Sequence, residues 1–311
     1  MVERRNLLDV DLLSRDDIQR ILEMARSFSE VLRRPIKKVP ALRGKTVVNL
    51  FYEPSTRTRM SFEVAAKRLS ADVLNFTAAS SSVAKGESFK DTALTLESMG
   101  VDAVVVRHPV AGAPWLLSQW LKASILNAGD GMHAHPTQAL LDLFTLWERM
   151  EQLTGKTIAY VGDIRHSRVA RSGVKACQTM GMKVILVAPP TLLPPVLPPG
   201  VEASSDFDEV IPACDVLYML RIQEERQKEG GFPSLEEYKR LYQLDFRRLG
   251  MAKPMVAVMH PGPMNRGVEI TSEVADSPVS MVTAQVASGV AMRMAMLFLL
   301  LGGAKGGGIG A

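Results

Sequence analysis

Short apolar, β-branched runs alternate with amphipathic stretches along nearly all of the 311-residue chain. No other feature limits the available folds as strongly. Runs at 46–51, 72–77, 102–107 and 124–127 read as strands, and the stretches at 59–70, 88–99 and 115–120 between them carry apolar residues at helical spacing. A second series follows, with strands at 157–161, 183–187, 215–220 and 254–259 and helices at 167–180, 207–213 and 234–241. Repeated βα units build parallel sheets with helices on both faces. The expected fold class is therefore α/β, with two similar domains, each a mostly parallel sheet flanked by helices, joined by interdomain helices. Ser14 followed by Asp16 and Asp17 opens a first helix, whose apolar stripe is Ile18, Ile21, Leu22, Ala25 and Phe28. Pro136 suits the first position of a linking helix over 136–150. The last helix, 279–301, follows the second series and is expected to cross back to the first half. The expected domains are 1–135 together with the carboxyl-terminal helix at about 287–311, and 136–286 including the linking helix, close to the roughly 150 residues per domain of an ordinary chain.

A hydrophobic content of 47% and a charged content of 23% are those of a soluble globular protein. The net charge of +4, from 37 Lys and Arg against 33 Asp and Glu, contains no polybasic run. Small anions fit that balance; nucleic acid, which calls for clustered Lys and Arg, does not. Cys177 and Cys214 lie in apolar segments and form neither a CxxC pair nor a disulfide framework, as expected in a reducing compartment. The amino terminus leads into an acidic helix pattern without the apolar centre of a signal peptide, so a cytoplasmic protein is expected. The apolar run 290–301 carries Arg293 and falls short of the roughly 20 residues that span a bilayer. It reads as a buried core helix, with no membrane partner.

The chemistry concentrates where strands end. After the first strand, Ser55, Thr56, Arg57, Thr58 and Arg59 crowd the first turn of a helix, the end where the macrodipole and free N–H groups already present positive charge. An anion such as phosphate would resolve that conflict; the alternative is an N-capped surface helix with two solvated arginines. Ligands of α/β sheets collect beyond the carboxyl ends of the strands. Those ends carry, in order, Arg107, the pair His133 and His135, the segment 162–168 with Arg165 and Arg168, then Arg221, and finally His260. Arginines recurring at strand ends point to an anion-rich cleft. The His133/His135 pair also admits two other readings, a metal-binding pair or a loop that caps the next helix. The chain has five histidines and no companion His/Asp/Glu motif with ligand spacing, so no metal is expected. Neither GxGxxG nor the P-loop pattern occurs, and nucleotide binding is not expected. The small-residue loop 80–88, with Lys85 its one lysine, reads by itself as a surface loop.

Ser-Thr-Arg-Thr-Arg at 55–59, His-Pro-Thr-Gln at 135–138, Arg-x-Gln at 221–223 and His-Pro-x-Pro at 260–263 occur in this order. With them the chain resembles the aspartate/ornithine transcarbamylase family over nearly its whole length. The first two motifs belong to the whole family. Pro261, where the ornithine enzymes characteristically carry cysteine, and Arg221-x-Gln223 resemble the aspartate-using branch.

The resemblance implies transfer of the carbamoyl group of carbamoyl phosphate to L-aspartate, an early step of pyrimidine biosynthesis, without a cofactor. It implies that Ser55, Thr56, Arg57, Thr58 and Arg107 bind phosphate, and that Thr58, Arg107 and His135 act at the carbamoyl carbonyl. Gln138 and the backbone carbonyls of Pro261 and Gly262 would hold the carbamoyl amino group, next to a cis Gly262–Pro263 peptide. Lys85, Arg168, Arg221 and Gln223 would hold aspartate. Ser81 and Lys85 would come from a neighbouring subunit, making a homotrimer with shared active sites; regulatory chains or dihydroorotase are the further partners the resemblance admits. Two departures stand out: Ala84 replaces a second loop lysine found in some members, and Gly262 replaces leucine or alanine.

Overall fold

The computed structural model describes residues 6–77, 86–222 and 234–302. It forms two compact units, Met1–Phe144 with Val286–Ala311, and Thr145–Gln285.

In the first unit, α1 (Arg15–Arg33) precedes β1 (Thr46–Phe51), α2 (Thr56–Arg68), β2 (Asp72–Thr77), α3 (Phe89–Ser98), β3 (Ala103–His108), α4 (Ala113–Trp120) and β4 (Ser124–Asp130). Ser14 opens α1 through a capping box: its Oγ accepts from Asp17 N–H, and the Asp17 carboxylate accepts from Ser14 N–H. The sheet has the order β2-β1-β3-β4, and every pairing is parallel. Val48 and Leu50 of β1 pack with Val104, Val106, Leu117 and Ile125 in one core cluster. Successive side chains point to opposite faces, and Val47, Ala103 and Val105 are buried as well. Burial on both faces is why these strands are continuous apolar runs rather than alternating ones.

The division between the units falls within α5 (Pro136–Met150) and near the start of the last helix. The second unit contains β5 (Thr157–Val161), α6 (Arg168–Thr179), β6 (Lys183–Val187), β7 (Val201–Ser204), α7 (Phe207–Val210), β8 (Val216–Met219), α8 (Leu235–Tyr242), α9 (Phe246–Leu249), β9 (Ala257–Met259) and α10 (Ser272–Ala275), followed by α11 (Val282–Leu301). Its parallel sheet has the order β7-β6-β5-β8-β9. Val161, Val187, Leu217, Met219 and Val258 pack under Phe207 and Tyr238. Neither cysteine forms a disulfide, and both are buried. Burial pushes the Cys214 thiol up to about 12, and its Sγ donates to Val210 O at 3.3 Å, so it is an inert core residue.

Three features depart from the expectations. β7 is a four-residue edge strand in which only Val201 is buried, so it offers no apolar run. α9 and α10 are four-residue helices set by the side-chain caps Asp245 and Thr271, too short to show a period. The run 290–301, short of a bilayer span by itself, belongs to α11, which runs for 20 residues and is by length and composition long and apolar enough to cross a membrane. Burial is the better guide: 67% of its apolar window lies inside the protein. Its Arg293 is only 4% exposed, and Nη1 donates to Ser61 Oγ and Gly289 O, each at 3.0 Å.

Candidate functional site

In the first unit, β1 ends at Phe51, whose register partner on β3 is Arg107. Tyr52 N–H then donates to Arg107 O at 2.8 Å. One strand further, His108 pairs with Asp130 at the end of β4. The carboxyl ends of three neighbouring parallel strands therefore deliver the start of α2, Arg107 and the segment leading to His135 along one edge. Ser55 is the N-cap of α2, yet its side chain makes no capping hydrogen bond, and the first turn holds no acidic residue. Ser14, Ser88, Ser167, Asp206, Ser234, Asp245 and Thr271 all accept a backbone N–H at the start of their own helices. Thr56 and Arg57 are exposed, whereas Thr58 is buried. Arg107 is held on two sides, with Nε 3.4 Å from Glu53 Oε2 and Nη1 donating to Ala128 O at 3.4 Å.

His135 immediately precedes α5, and its carbonyl accepts from Gln138 N–H and Ala139 N–H at 3.0 and 3.2 Å. Its ring is buried, with Nδ1 3.4 Å from Thr137 Oγ1. Gln138 is buried beside it and donates from Nε2 to Asp142 Oδ1 at 3.0 Å. His133 faces other partners: Nδ1 lies 3.1 Å from Asp130 Oδ2, and Nε2 lies 3.6 Å from Asp9 Oδ2. Burial, reinforced by the neighbouring Asp11 charge, holds the Asp9 carboxyl above its usual range. The two histidines read in sequence as a pair thus belong to different surroundings. No group of three His, Cys, Asp or Glu side chains arranged for a metal occurs among the described residues.

The second unit repeats the plan at the ends of β5, β8 and β9. Leu220 N–H donates to Val161 O at 2.8 Å, which brings Arg221 beside the turn after β5. In that turn Gly162 has φ +126°, and a Cβ there would sit 3.0 Å from Leu220 O. Glycine at 162 is therefore a close-packing requirement between strand ends, not a nucleotide fingerprint. Asp163 is buried and lies 2.8 Å from His166 Nδ1. Ser167 caps α6, its Oγ accepting from Ala170 N–H at 3.1 Å, and sets the buried Arg168 at the first helical position. Arg221 is half-buried.

After β9, His260 Nδ1 accepts from Gly262 N–H at 2.8 Å, so the neutral ring carries its proton on Nε2 and donates to Glu269 Oε1 at 3.0 Å. The same carboxylate oxygen accepts from Asn265 N–H at 2.7 Å. This buried pair fixes the Pro261–Gly262 backbone. Gly262 has φ +65°, a region glycine enters at no steric cost, and the Gly262–Pro263 peptide is cis as the resemblance implies. Burial, with the Glu269 and Asp163 charges adding to it, pushes the phenol of Tyr238 well above its usual range.

Of the residues singled out in sequence, Ser81, Lys85 and Gln223 lie outside the described residues. The carboxylates Glu53, Asp130, Asp142, Asp163 and Glu269 were missed as partners. Three of them had a usable signal, since Glu53, Asp130 and Asp163 stand at or just after strand ends, where an acid beside a basic residue is a prospective anchor.

Comparison with known proteins agrees with this layout. Residues 5–148 match the family model described as the aspartate/ornithine carbamoyltransferase carbamoyl-P binding domain, and residues 154–300 match that of the Asp/Orn binding domain. An aspartate carbamoyltransferase catalytic subunit from Nocardioides sp. is 57% identical over 310 residues, covering 97% of this chain and 96% of the relative. One from Thermobifida fusca is 58% identical over 301 residues, covering 96% of each. Among solved structures, aspartate transcarbamoylase from Trypanosoma cruzi in complex with carbamoyl phosphate is 33% identical with a TM-score of 0.88, covering 96% of both chains. The catalytic subunit of M. jannaschii aspartate transcarbamoylase is 36% identical with a TM-score of 0.83, covering 95% of this chain and 97% of that one. The chain belongs to the aspartate/ornithine carbamoyltransferase family.

Proposed function

We propose that this chain transfers the carbamoyl group of carbamoyl phosphate to the α-amine of L-aspartate, giving N-carbamoyl-L-aspartate and phosphate. The observation that carries this reading is the start of α2, where Ser55 leaves the helix's own N–H groups without a side-chain cap beside Thr56, Arg57 and the strand-end Arg107. A phosphate group supplies the missing acceptor and the missing negative charge together. Ser55, Thr56, Arg57, Thr58 and Arg107 bind that phosphate. Gln138 and the carbonyls of Pro261 and Gly262 take the carbamoyl amino group. Arg168, Arg221 and Gln223, with Lys85, hold the carboxylates and amine of aspartate. The first domain, 1–135 with the carboxyl-terminal helix at about 287–311, is the carbamoyl phosphate side, and 136–286 is the aspartate side.

The amine attacks the carbamoyl carbon, the carbonyl oxygen takes up negative charge, and the bond to the phosphate oxygen breaks as phosphate leaves. Thr58, Arg107 and His135 donate to the developing oxyanion, one such donor typically contributing about 3 kcal/mol. In the tautomer a donor needs, with the ring proton on Nε2, Nδ1 of His135 accepts from the Thr137 hydroxyl 3.4 Å away. The departing phosphate accepts the proton lost by the amine, so no side chain acts as nucleophile and the rest of catalysis is positioning. The minimal active unit is a cytoplasmic homotrimer in which Ser81 and Lys85 enter a neighbour's site; regulatory chains or dihydroorotase are its prospective further partners. The reaction is an early step of pyrimidine biosynthesis. Product formation from carbamoyl phosphate with aspartate, ornithine or N-acetylornithine tests the reading: turnover with aspartate alone is expected, and preference for either other amine would overturn it.

A further inference from the structure

Gln138 sits one helical turn before Asp142 on α5, and both are buried. The 3.0 Å bond between them has a definite chemical sense. An ionised carboxylate offers only acceptors, so the amide must turn its NH₂ end toward Asp142 and present its oxygen elsewhere. A buried carboxylate needs a cation nearby. The Asp142 charge acts on Arg293, a fully buried guanidinium whose pKa burial lowers to about 10, still far above neutrality. Arg293 is itself fixed from two other elements. Its Nη1 bonds Ser61 Oγ of α2 and Gly289 O of α11, and its guanidinium lies 5.0 Å over the Phe62 ring.

We infer that Asp142 is a positioning residue that locks the Gln138 amide with its oxygen outward, so that this oxygen accepts from the carbamoyl NH₂ group of the substrate. Arg293, whose charge offsets that of Asp142, bonds Ser61 of α2, the helix whose first turn takes the phosphate in the reading above. The inference rests on the reading of Gln138 given above. It concerns the carbamoyl end of the substrate alone, so inorganic phosphate, which has no NH₂ group, is the built-in control.

The test measures binding of carbamoyl phosphate and of inorganic phosphate to the full-length protein and its Asp142→Asn, Gln138→Ala and combined variants. Asp142→Asn frees the amide to turn over, and is expected to weaken carbamoyl phosphate about tenfold, the effect of one hydrogen bond to a polar ligand, while inorganic phosphate changes less than about twofold. In the Gln138→Ala background the same substitution should add nothing. Equal weakening of both anions, or full additivity of the two substitutions, would overturn the positioning role. Unchanged carbamoyl phosphate binding in Gln138→Ala would instead overturn the reading of Gln138 itself. Should Asp142→Asn fail to fold, the exchanged pair Gln138→Glu/Asp142→Asn restores an N–H donor facing a carboxylate with an oxygen outward. It is expected to bind carbamoyl phosphate at least fivefold better than Gln138→Glu, and no recovery would overturn the inference.

Discussion

At the carboxyl edge of the first sheet, α2 begins at Ser55 with no side-chain bond to its own backbone; at the corresponding edge of the second, α6 begins at Ser167, whose Oγ caps Ala170 N–H. The neighbouring groups differ in the same sense. The first edge surrounds an open helix start with hydroxyls and arginines, whereas the second closes its helix start and offers arginine side chains beside it. Backbone N–H groups converging at a helix start suit a compact, highly charged phosphate. Guanidinium forks suit planar carboxylates, which they can bind through two parallel bonds. Two edges of parallel strands are thus furnished differently, in the sense that the proposed division between phosphate and carboxylate requires.

The largest effect expected from breaking this division is at Arg107, which the proposed function assigns both to the reacting carbonyl and to the phosphate. Arg107→Ala should lower kcat by about a hundred- to a thousandfold, the loss typical of one donor to a developing oxyanion. Steady-state kinetics with both substrates varied decides it: if only the Michaelis constants rise, Arg107 binds substrate without stabilising the transition state. At the second edge, Arg221→Ala should raise the Michaelis constant for aspartate about thirtyfold, roughly 2 kcal/mol for one charge-assisted contact, and leave the affinity for carbamoyl phosphate within about twofold. A comparable loss for both substrates would mean that the edges do not divide the anions between them.

A sharper question is whether one chain supplies every residue of its own site. If Lys85 enters from a neighbouring subunit, mixing the inactive variants Arg57→Ala and Lys85→Ala in equal amounts should restore activity. In a ring of three, about one quarter of the sites would combine an intact Arg57 with an intact Lys85. Activity that stays at the level of the separate variants after verified subunit exchange would show that each chain supplies its own lysine.

Much of this layout was legible in the sequence for a physical reason. Strands buried on both faces are forced into apolar runs, so β1, β3, β5 and β8 announce themselves, and the residues that follow them mark the edge where ligands bind. Ser55, Arg107, His135, Arg168 and Arg221 were expected beyond strand ends on this ground, and the structure has them there. What was not legible depends on contacts between residues distant in sequence. Nothing near Arg293 indicates that Ser61 lies 3.0 Å from it, 232 positions away. Nothing near His133 and His135 separates them, because a spacing of two does not say which of the pair faces Asp130. Edge strand β7 was invisible because a strand with one buried residue has no pattern to read.

The smallest expected effect isolates the difference between the two helix starts with a single chemical change. Ser167→Ala removes a working cap and should destabilise the protein by about 1 kcal/mol in urea unfolding, with inorganic phosphate affinity unchanged. Ser55→Ala removes a hydroxyl that caps nothing, so unfolding should shift by less than about 0.5 kcal/mol, within the usual range for a surface substitution. Its cost should appear instead in phosphate binding, weakened about fivefold by the loss of one hydrogen bond to a charged group. The two alanine variants should therefore exchange phenotypes, one losing stability and the other affinity. If Ser55→Ala destabilised the fold as much as Ser167→Ala, the hydroxyl would be a cap in solution, and the contrast between the two helix starts would fall.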